Sequence, residues 1–505
     1  MGHFENDNKN AIPEKERMTA VKAEDFMTKQ FIGGEWRTGR SNRILEDRNP
    51  YTGELILTIQ GASREDLDDA YKAAARAQPE WEQTPMPAKQ ALFDRLLQTL
   101  AEHKDMIVNW LIRESGSTYI KANIEFDAAY GNAKEAATFI TRSAGNIRPS
   151  IFEGKENFIY RKPKGVVGII GPWNFPFHLT MRSLAPALAL GNAAVIKPAS
   201  DTPVTSGLLL ARIFELAGFP KGLVNVVVGR GSEIGDDFVT HPIPKLISFT
   251  GSTEVGSRVG ELAGRHIKEV ALELGGNNPF IVLPDADVRQ AAKAAIFGKF
   301  NHNGQVCMAI NKIILHESIY DAFVNEYVKL VEKLKTGDPS DPDTHIGPLI
   351  NADQVTRIQQ DLQESIAMGA KVLVQGSVRG CLMEPVVLAD VTLDMPIVKN
   401  EIFGPVACIM KVSSEEEAIR AANDTIYGLS AAVFTKDLYH GMQVAKKIQS
   451  GMVHVNDSPI NDEPHVPFGG EKASGVGRFN AEWAIDKFTT VKWIGVQSGE
   501  AAFPF

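Results

Sequence analysis

From residue 65 to residue 116 apolar positions recur at helical spacing, first Ala70, Ala73, Ala74 and Ala77, then Ala91, Leu92, Leu96, Leu97 and Leu100. This period predicts packing helices, with a further helix over 125–142. Between 145 and 163 the helical period breaks at Asn, Pro and Gly and then reads Phe158-Ile159-Tyr160, which predicts a β-hairpin arm. From 165 onward the rhythm changes to short β-rich runs, 165–171, 193–197, 223–229, 245–251 and 270–274, separated by helical stretches. Such alternation predicts an α/β unit built on a buried parallel sheet. A second set of runs over 279–283, 311–315, 406–412, 429–435 and 452–455 predicts a second α/β domain that begins near Asn277. Residues 489–497 alternate again and are expected to pair with the 145–163 arm. Residues 1–25 carry no apolar period and read as a mobile tail.

Composition narrows the class without changing this picture. The 505 residues suffice for roughly three domains of ~150 residues, and 44% apolar with 23% charged residues excludes wholesale disorder. With a net charge of −9 and no Lys/Arg block of five or more, no phosphate backbone is expected as a partner. Three cysteines, Cys307, Cys381 and Cys408, show neither a disulfide framework nor Cys-x-x-Cys spacing, so a reducing, cytoplasmic setting and no metal are expected. The longest apolar run, 184–196, holds Pro186 and Asn192 and is too short to span a bilayer, and the amino terminus lacks the apolar core of a signal peptide. No membrane partner is expected.

Four segments carry chemistry. Cys307 closes the polar, glycine-containing stretch Asn301-His302-Asn303-Gly304-Gln305-Val306-Cys307, where a substrate can reach a thiol; a reactive thiol needs that access and a lowered pKa. Cys408, inside the apolar run 406–410, reads as a small core residue, and His302 as a residue that fixes its loop. Glu273 ends an apolar strand just before Gly275 and Gly276, and partial burial there would raise its pKa toward neutrality and make it a general base. Asn174, in Gly171-Pro172-Trp173-Asn174-Phe175-Pro176, sits at the carboxyl end of a sheet strand, where its amide can donate to an oxyanion. Finally, Phe249-Thr250-Gly251-Ser252-Thr253-Glu254-Val255-Gly256 closes a strand and opens a helix, offering backbone N–H groups to a phosphate. Taken singly, a structural acid, a turn asparagine and a plain capped helix remain open readings of the last three.

In this order, the four segments resemble the aldehyde dehydrogenase superfamily. Further matches are Ile196-Lys197-Pro198-Ala199-Ser200, Glu401-Ile402-Phe403-Gly404-Pro405, Asn456, the stretch 467–478 and the 34-residue spacing from Glu273 to Cys307. The resemblance covers 31–492. It implies a Rossmann-type cofactor domain (26–144 and 165–276), an α/β catalytic domain (277–480) and a small β oligomerisation arm (145–164 and 481–505). It also implies oxidation of a small-molecule aldehyde by NAD or NADP in a homodimer or homotetramer. Cys307 would attack the aldehyde, Asn174 and the Cys307 N–H would hold the oxyanion, and Glu273 would activate the water that hydrolyses the thioester. Cofactor contacts would fall on Ile170, Trp173, Lys197, Ser200, Gly229, Gly251, Ser252, Gly256, Glu401 and Phe403.

The chain resembles most the benzaldehyde and vanillin dehydrogenase branch, on 174–183, 463–467 and 298–302. This implies an aromatic substrate in a channel of Phe175, Leu179, Val306, Met308 and Phe468, with Arg182 at the mouth facing solvent or a neighbouring subunit. Many NAD-dependent relatives carry a glutamate where this chain has Ser200, so NADP is expected to be usable or preferred. Two alternatives stay open on the sequence: a succinate semialdehyde dehydrogenase using Arg182, and a thiol esterase or hydrolase without redox chemistry.

Overall fold

Five runs rich in small and β-branched residues, Val166–Ile170, Ala193–Lys197, Val224–Val226, Leu246–Thr250 and Glu269–Glu273, are largely buried and align in parallel. Buried on both faces, they need no alternation of polar and apolar positions, as expected of a parallel sheet covered by helices. Across the sheet the five lie in the order third, second, first, fourth, fifth along the chain. That is the doubly wound order, whose direction of winding reverses between Val166–Ile170 and Leu246–Thr250. Antiparallel edges complete it, Gln30–Ile32 with Glu35–Arg37 on one side and Gly475–Val476 on the other. The computed structural model describes residues 25–501 and 503–505, so all but the last residue of the expected tail over 1–25 lies outside the described residues.

A second sheet starts five residues after Glu273, at Asn278. Its central strands Val386–Ala389, Val406–Val412, Ile310–His316, Asn278–Val282, Ala432–Phe434 and His454–Val455 run parallel, with Lys371–Val374 as an antiparallel edge. The 371–389 strands were not anticipated, because their apolar run is short and flanks a two-stranded turn at 378–383. The expected 223–229, 429–435 and 452–455 runs shorten to Val224–Val226, Ala432–Phe434 and His454–Val455. The chain leaves the first sheet at a strand's carboxyl end and enters the second at a strand's amino end. One seam therefore joins those two edges.

Helices cover the sheets. The expected helical region over 65–116 is three helices, Arg64–Gln83, Met86–Glu102 and Lys104–Ser115, the first opened by a capping box between Ser63 and Asp66. The next, Tyr119–Arg142, begins earlier than the periodicity predicts because Thr118 caps it by accepting from the Lys121 N–H. It packs on the buried helix Pro176–Ala189, which starts with proline at its first position. The expected arm is present: Lys155–Pro163 pairs antiparallel with Asn146–Pro149 and, over nine positions, with Thr489–Gln497. Among the described residues no helix is long and apolar enough to cross a membrane.

Candidate active site

At the reversal point of the first sheet, the loops that follow Ile170 and Thr250 open a cavity of about 1880 Å³ running along the seam. Ligands bind outside the carboxyl ends of strands at such a point, because the diverging loops leave a crevice. Ile170, Trp173, Asn174, Leu179, Arg182, Lys197, Gly251, Ser252, Glu273, Cys307, Glu401 and Phe403 all line it. Ser200 is half-exposed next to the lining residue Ala199. Gly229 and Gly256 lie off the wall and serve packing: a side chain at Gly229 would meet Ile234, and one at Gly256 would meet Leu274 at 2.2 Å.

Cys307 follows a short 3₁₀ turn whose His302, Asn303 and Gly304 all take the left-handed conformation, with φ of 49°, 56° and 75°. This reversal is held from outside the loop. Gln305 donates to the Pro348 carbonyl and accepts from the Ile350 N–H, while Asn278 Nδ2 donates to the carbonyls of Cys307 and Ala309, both at 2.8 Å. The thiol is half-buried at the cavity, and burial pushes it up to about 12, with the Arg182 charge the main opposing influence. The expected lowered pKa is thus reversed, because the surroundings that admit a substrate also withhold water from a thiolate.

Asn174 is buried, and its Nδ2 donates to the Gln305 carbonyl at 3.0 Å. A side-chain amide has two N–H groups, so one remains to donate into the cavity. Glu273 is 3% exposed, and neither carboxyl oxygen has a hydrogen-bond partner among the described residues. Burial raises it to about 8, again opposed chiefly by Arg182. A side chain on Gly469 would come within 3.0 Å of Glu273 Oε1, so that glycine keeps room beside the carboxyl.

The other side of the cavity is built for a polar ligand. Among the described residues Lys197 is buried without a carboxylate partner, its Nζ donating only to the Pro198 carbonyl at 3.2 Å, and burial lowers it to about 8. Ser252 caps the helix Thr253–Arg265 by accepting from the Val255 N–H at 3.4 Å. Glu401 accepts from the Gly276 N–H at 2.9 Å; desolvation lifts it to about 7, and a side chain at Gly275 would strike it. Trp173 and Phe403 meet edge to face with ring centroids 5.3 Å apart. An unpaired buried cation, a helix start and a carboxylate, spread along one elongated cavity at a doubly wound switch point, fit a dinucleotide.

Of the expected channel residues, Phe175 is half-buried with His302 edge-on at 5.7 Å, and Val306, Met308 and Phe468 are buried in the same apolar cluster, against which Phe175 and Cys307 pack. Arg182 needs correction: it faces neither solvent nor a free surface. It is sealed between Phe468 and Phe479 and paired with Asp462, because the 460–480 segment folds over it.

Two groups escaped the sequence reading. Lys121, fully buried, donates to Asn174 O at 2.7 Å, to Ser117 Oγ and to Glu125, and lies 4.1 Å over the Phe175 ring. Glu125 in turn accepts from the N–H groups of Phe177 and His178. Opposite charges four residues apart on an otherwise apolar helix face were the available signal. For Asp462 there was none in the local sequence.

Comparison with known proteins agrees with this geometry. The aldehyde dehydrogenase family model matches residues 36–494. The chain is 53% identical over 482 residues to a vanillin dehydrogenase of Corynebacterium glutamicum, covering 95% of this chain and 100% of that one. It is 50% identical over 479 residues to the benzaldehyde dehydrogenase YfmT of Bacillus subtilis, covering 95% and 99%. Its fold is similar to the crystal structure of a NAD-dependent benzaldehyde dehydrogenase from Corynebacterium glutamicum, with a TM-score of 0.87 at 49% identity and coverage of 95% and 98%.

The raised thiol pKa yields a direct expectation. Far below a pKa of about 12 the thiolate fraction grows about tenfold per pH unit, so iodoacetamide should alkylate Cys307 slowly at pH 7 and about tenfold faster with each unit up to pH 9.5. Mass spectrometry of the peptide containing Cys307 measures the rate; a plateau reached below pH 9 would show that burial does not control this thiol.

Proposed function

The chain belongs to the aldehyde dehydrogenase family, and from that premise we propose that it oxidises aromatic aldehydes of the benzaldehyde and vanillin type to carboxylic acids with NAD or NADP. The observation that carries the reading is the convergence of the Cys307 thiol, the Asn174 amide and the Glu273 carboxyl on one cavity that also presents Lys197 and Glu401. A thiol esterase would use the first three and leave the buried, unpaired Lys197 without a task. In this reading 26–144 and 165–276 hold the cofactor, 277–480 carries the thiol, and 145–164 with 481–505 forms the arm. Exposed Ile147, Tyr160, Val491 and Trp493 on that arm support an interface between copies of this chain in a dimer or tetramer.

Each residue then has a task that its surroundings support. Lys197 and Glu401 would hold the two riboses of the dinucleotide, Trp173, Phe403 and Ile170 would flank it, and Gly251 and Ser252 would let a phosphate approach the start of the helix. The bound dinucleotide supplies the hydride acceptor. Cys307 Sγ attacks the carbonyl carbon, and because its resting form is the thiol, its proton passes to water in the open cavity as the C–S bond forms. The resulting oxyanion receives the free N–H of Asn174 and the Cys307 backbone N–H. After oxidation to the thioester, Glu273 takes a proton from the water that attacks the acyl carbon. With a proton affinity matched to pH 8 and no hydrogen bond to distract it, this carboxyl suits a general base. Leu179, which lines the cavity with Cys307, and Phe468 and Phe175, in and against the apolar cluster on which the thiol packs, support a flat aromatic substrate over an aliphatic one.

Ser200 supports use of NADP: it places no carboxylate where a 2′-phosphate would sit, and Lys197 is close in sequence to offer it a charge.

Three outcomes are expected. Assayed with NAD+ and followed by absorbance of the reduced nicotinamide, benzaldehyde and vanillin should exceed succinate semialdehyde in kcat/KM by about tenfold or more; the reverse order would overturn the aromatic assignment. For Glu273, the basic form is the active one, so the hydrolytic step should accelerate as pH rises through about 8. In Glu273→Gln that rise should vanish and a burst of reduced nicotinamide should precede a slow steady state, whereas an unchanged steady rate would remove Glu273 as the base. Ser200→Glu should raise the KM for NADP+ far more than that for NAD+ through like-charge repulsion, and an equal effect on both would contradict a 2′-phosphate at this position.

A further inference from the structure

Arg182 is the one arginine in the cavity wall that is sealed from solvent, with its side chain 1% exposed. Its guanidinium lies 4.2 Å from the Phe468 ring centroid and 4.9 Å from that of Phe479. Nη1 is 3.2 Å from Asp462 Oδ2, while Nε is buried without a hydrogen-bond partner. Asp462 is only 10% exposed and is held in place by Asn480, whose Nδ2 donates to Oδ1 at 2.8 Å. Among the described residues, the other ionisable partner of Asp462 is His178, with Nε2 3.5 Å from Oδ2. Burial pushes that ring down to about 4, so it is uncharged at neutral pH, and its Nε2 accepts from Asn132 Nδ2 at 2.8 Å. Among the described residues, Asp462 is therefore the carboxylate in ion-pair contact with Arg182.

Both charges reach the reacting groups. Arg182 opposes the burial of Cys307 and Glu273, favouring their anionic forms, and Asp462 acts in the opposite sense on each. In a low-dielectric wall an unmatched guanidinium would draw a substrate carboxylate strongly, since it would otherwise stay buried without a counter-charge. Matched, it offers a carboxylate nothing to offset the cost of leaving water.

Resting on the aromatic-aldehyde reading above, we propose that Asp462 is a specificity-determining residue that neutralises Arg182 and so withholds the channel's cation from aldehydes bearing a carboxylate. Discrimination of this kind is a difference of two affinities, and here it comes from removing an attraction to the wrong substrate. The Phe468 and Phe479 rings flank the guanidinium and favour its place beside Asp462.

Asp462→Asn tests this with the oligomeric enzyme and NAD+. The ratio of kcat/KM for succinate semialdehyde to that for benzaldehyde should rise about tenfold or more, Asp462→Glu should keep the wild-type ratio, and adding Arg182→Leu to Asp462→Asn should cancel the gain. Glutarate, a dicarboxylate that does not react, should raise the melting temperature of Asp462→Asn and leave wild type unmoved, a readout that a merely structural role would not produce. Asp462→Ser reads the same ratio where Asp462→Asn does not fold. An unchanged ratio in a variant that still oxidises benzaldehyde, with no glutarate shift, overturns the role of Asp462 alone. A wild-type enzyme that already favours succinate semialdehyde overturns the aromatic reading itself.

Discussion

Desolvation along the seam between the two sheets governs this protein. The carboxyl edge of one parallel sheet meets the amino edge of the other there, and the ionisable side chains at strand ends and in the adjoining loops lose water together. Glu273, Lys197, Glu401 and Cys307 all shift toward their uncharged forms for this one reason. A carboxyl with pKa near 8 and a lysine near 8 are costly to the fold, and at functional sites such cost is commonly retained because it tunes proton affinity.

The same burial has two outcomes, set by whether a partner is within reach. Lys121 with Glu125, and Arg182 with Asp462, are closed pairs that satisfy their own charges and fix geometry. The first ties the backbone of Asn174 to a helix; the second sets the net charge of the channel. Glu273 and Lys197 lack carboxylate or cation partners and are left to meet a ligand. Charge pairing thus separates the scaffold of the site from its reactive groups.

Close approach at the seam depends on glycine. Gly275 admits Glu401, Gly469 leaves space by Glu273, and the left-handed run ending at Gly304 turns the chain so that Cys307 meets the cavity. The contribution of the second sheet is rigidity: Asn278, on its first strand, ties down the carbonyls on both sides of Met308.

Much of this was legible in the chain. Local periodicity predicted the packing helices, the parallel runs and the pairing of 489–497 with the 145–163 arm, because period and β-branching act within a few residues. Cys307, Glu273 and Asn174 stood out because a thiol, an acid and an amide beside glycine and proline at strand ends are locally unusual. The weaker, shorter strands over 371–389 and the 475–476 strand that returns to the first sheet were decided by long-range pairing, which leaves little local trace. The sign of the Cys307 shift and the enclosure of Arg182 likewise depended on tertiary structure. Both arise from groups brought in from elsewhere in the chain, Asp462 being 280 residues beyond Arg182, and the free energy of a charge depends on what surrounds it in space rather than on its neighbours in sequence.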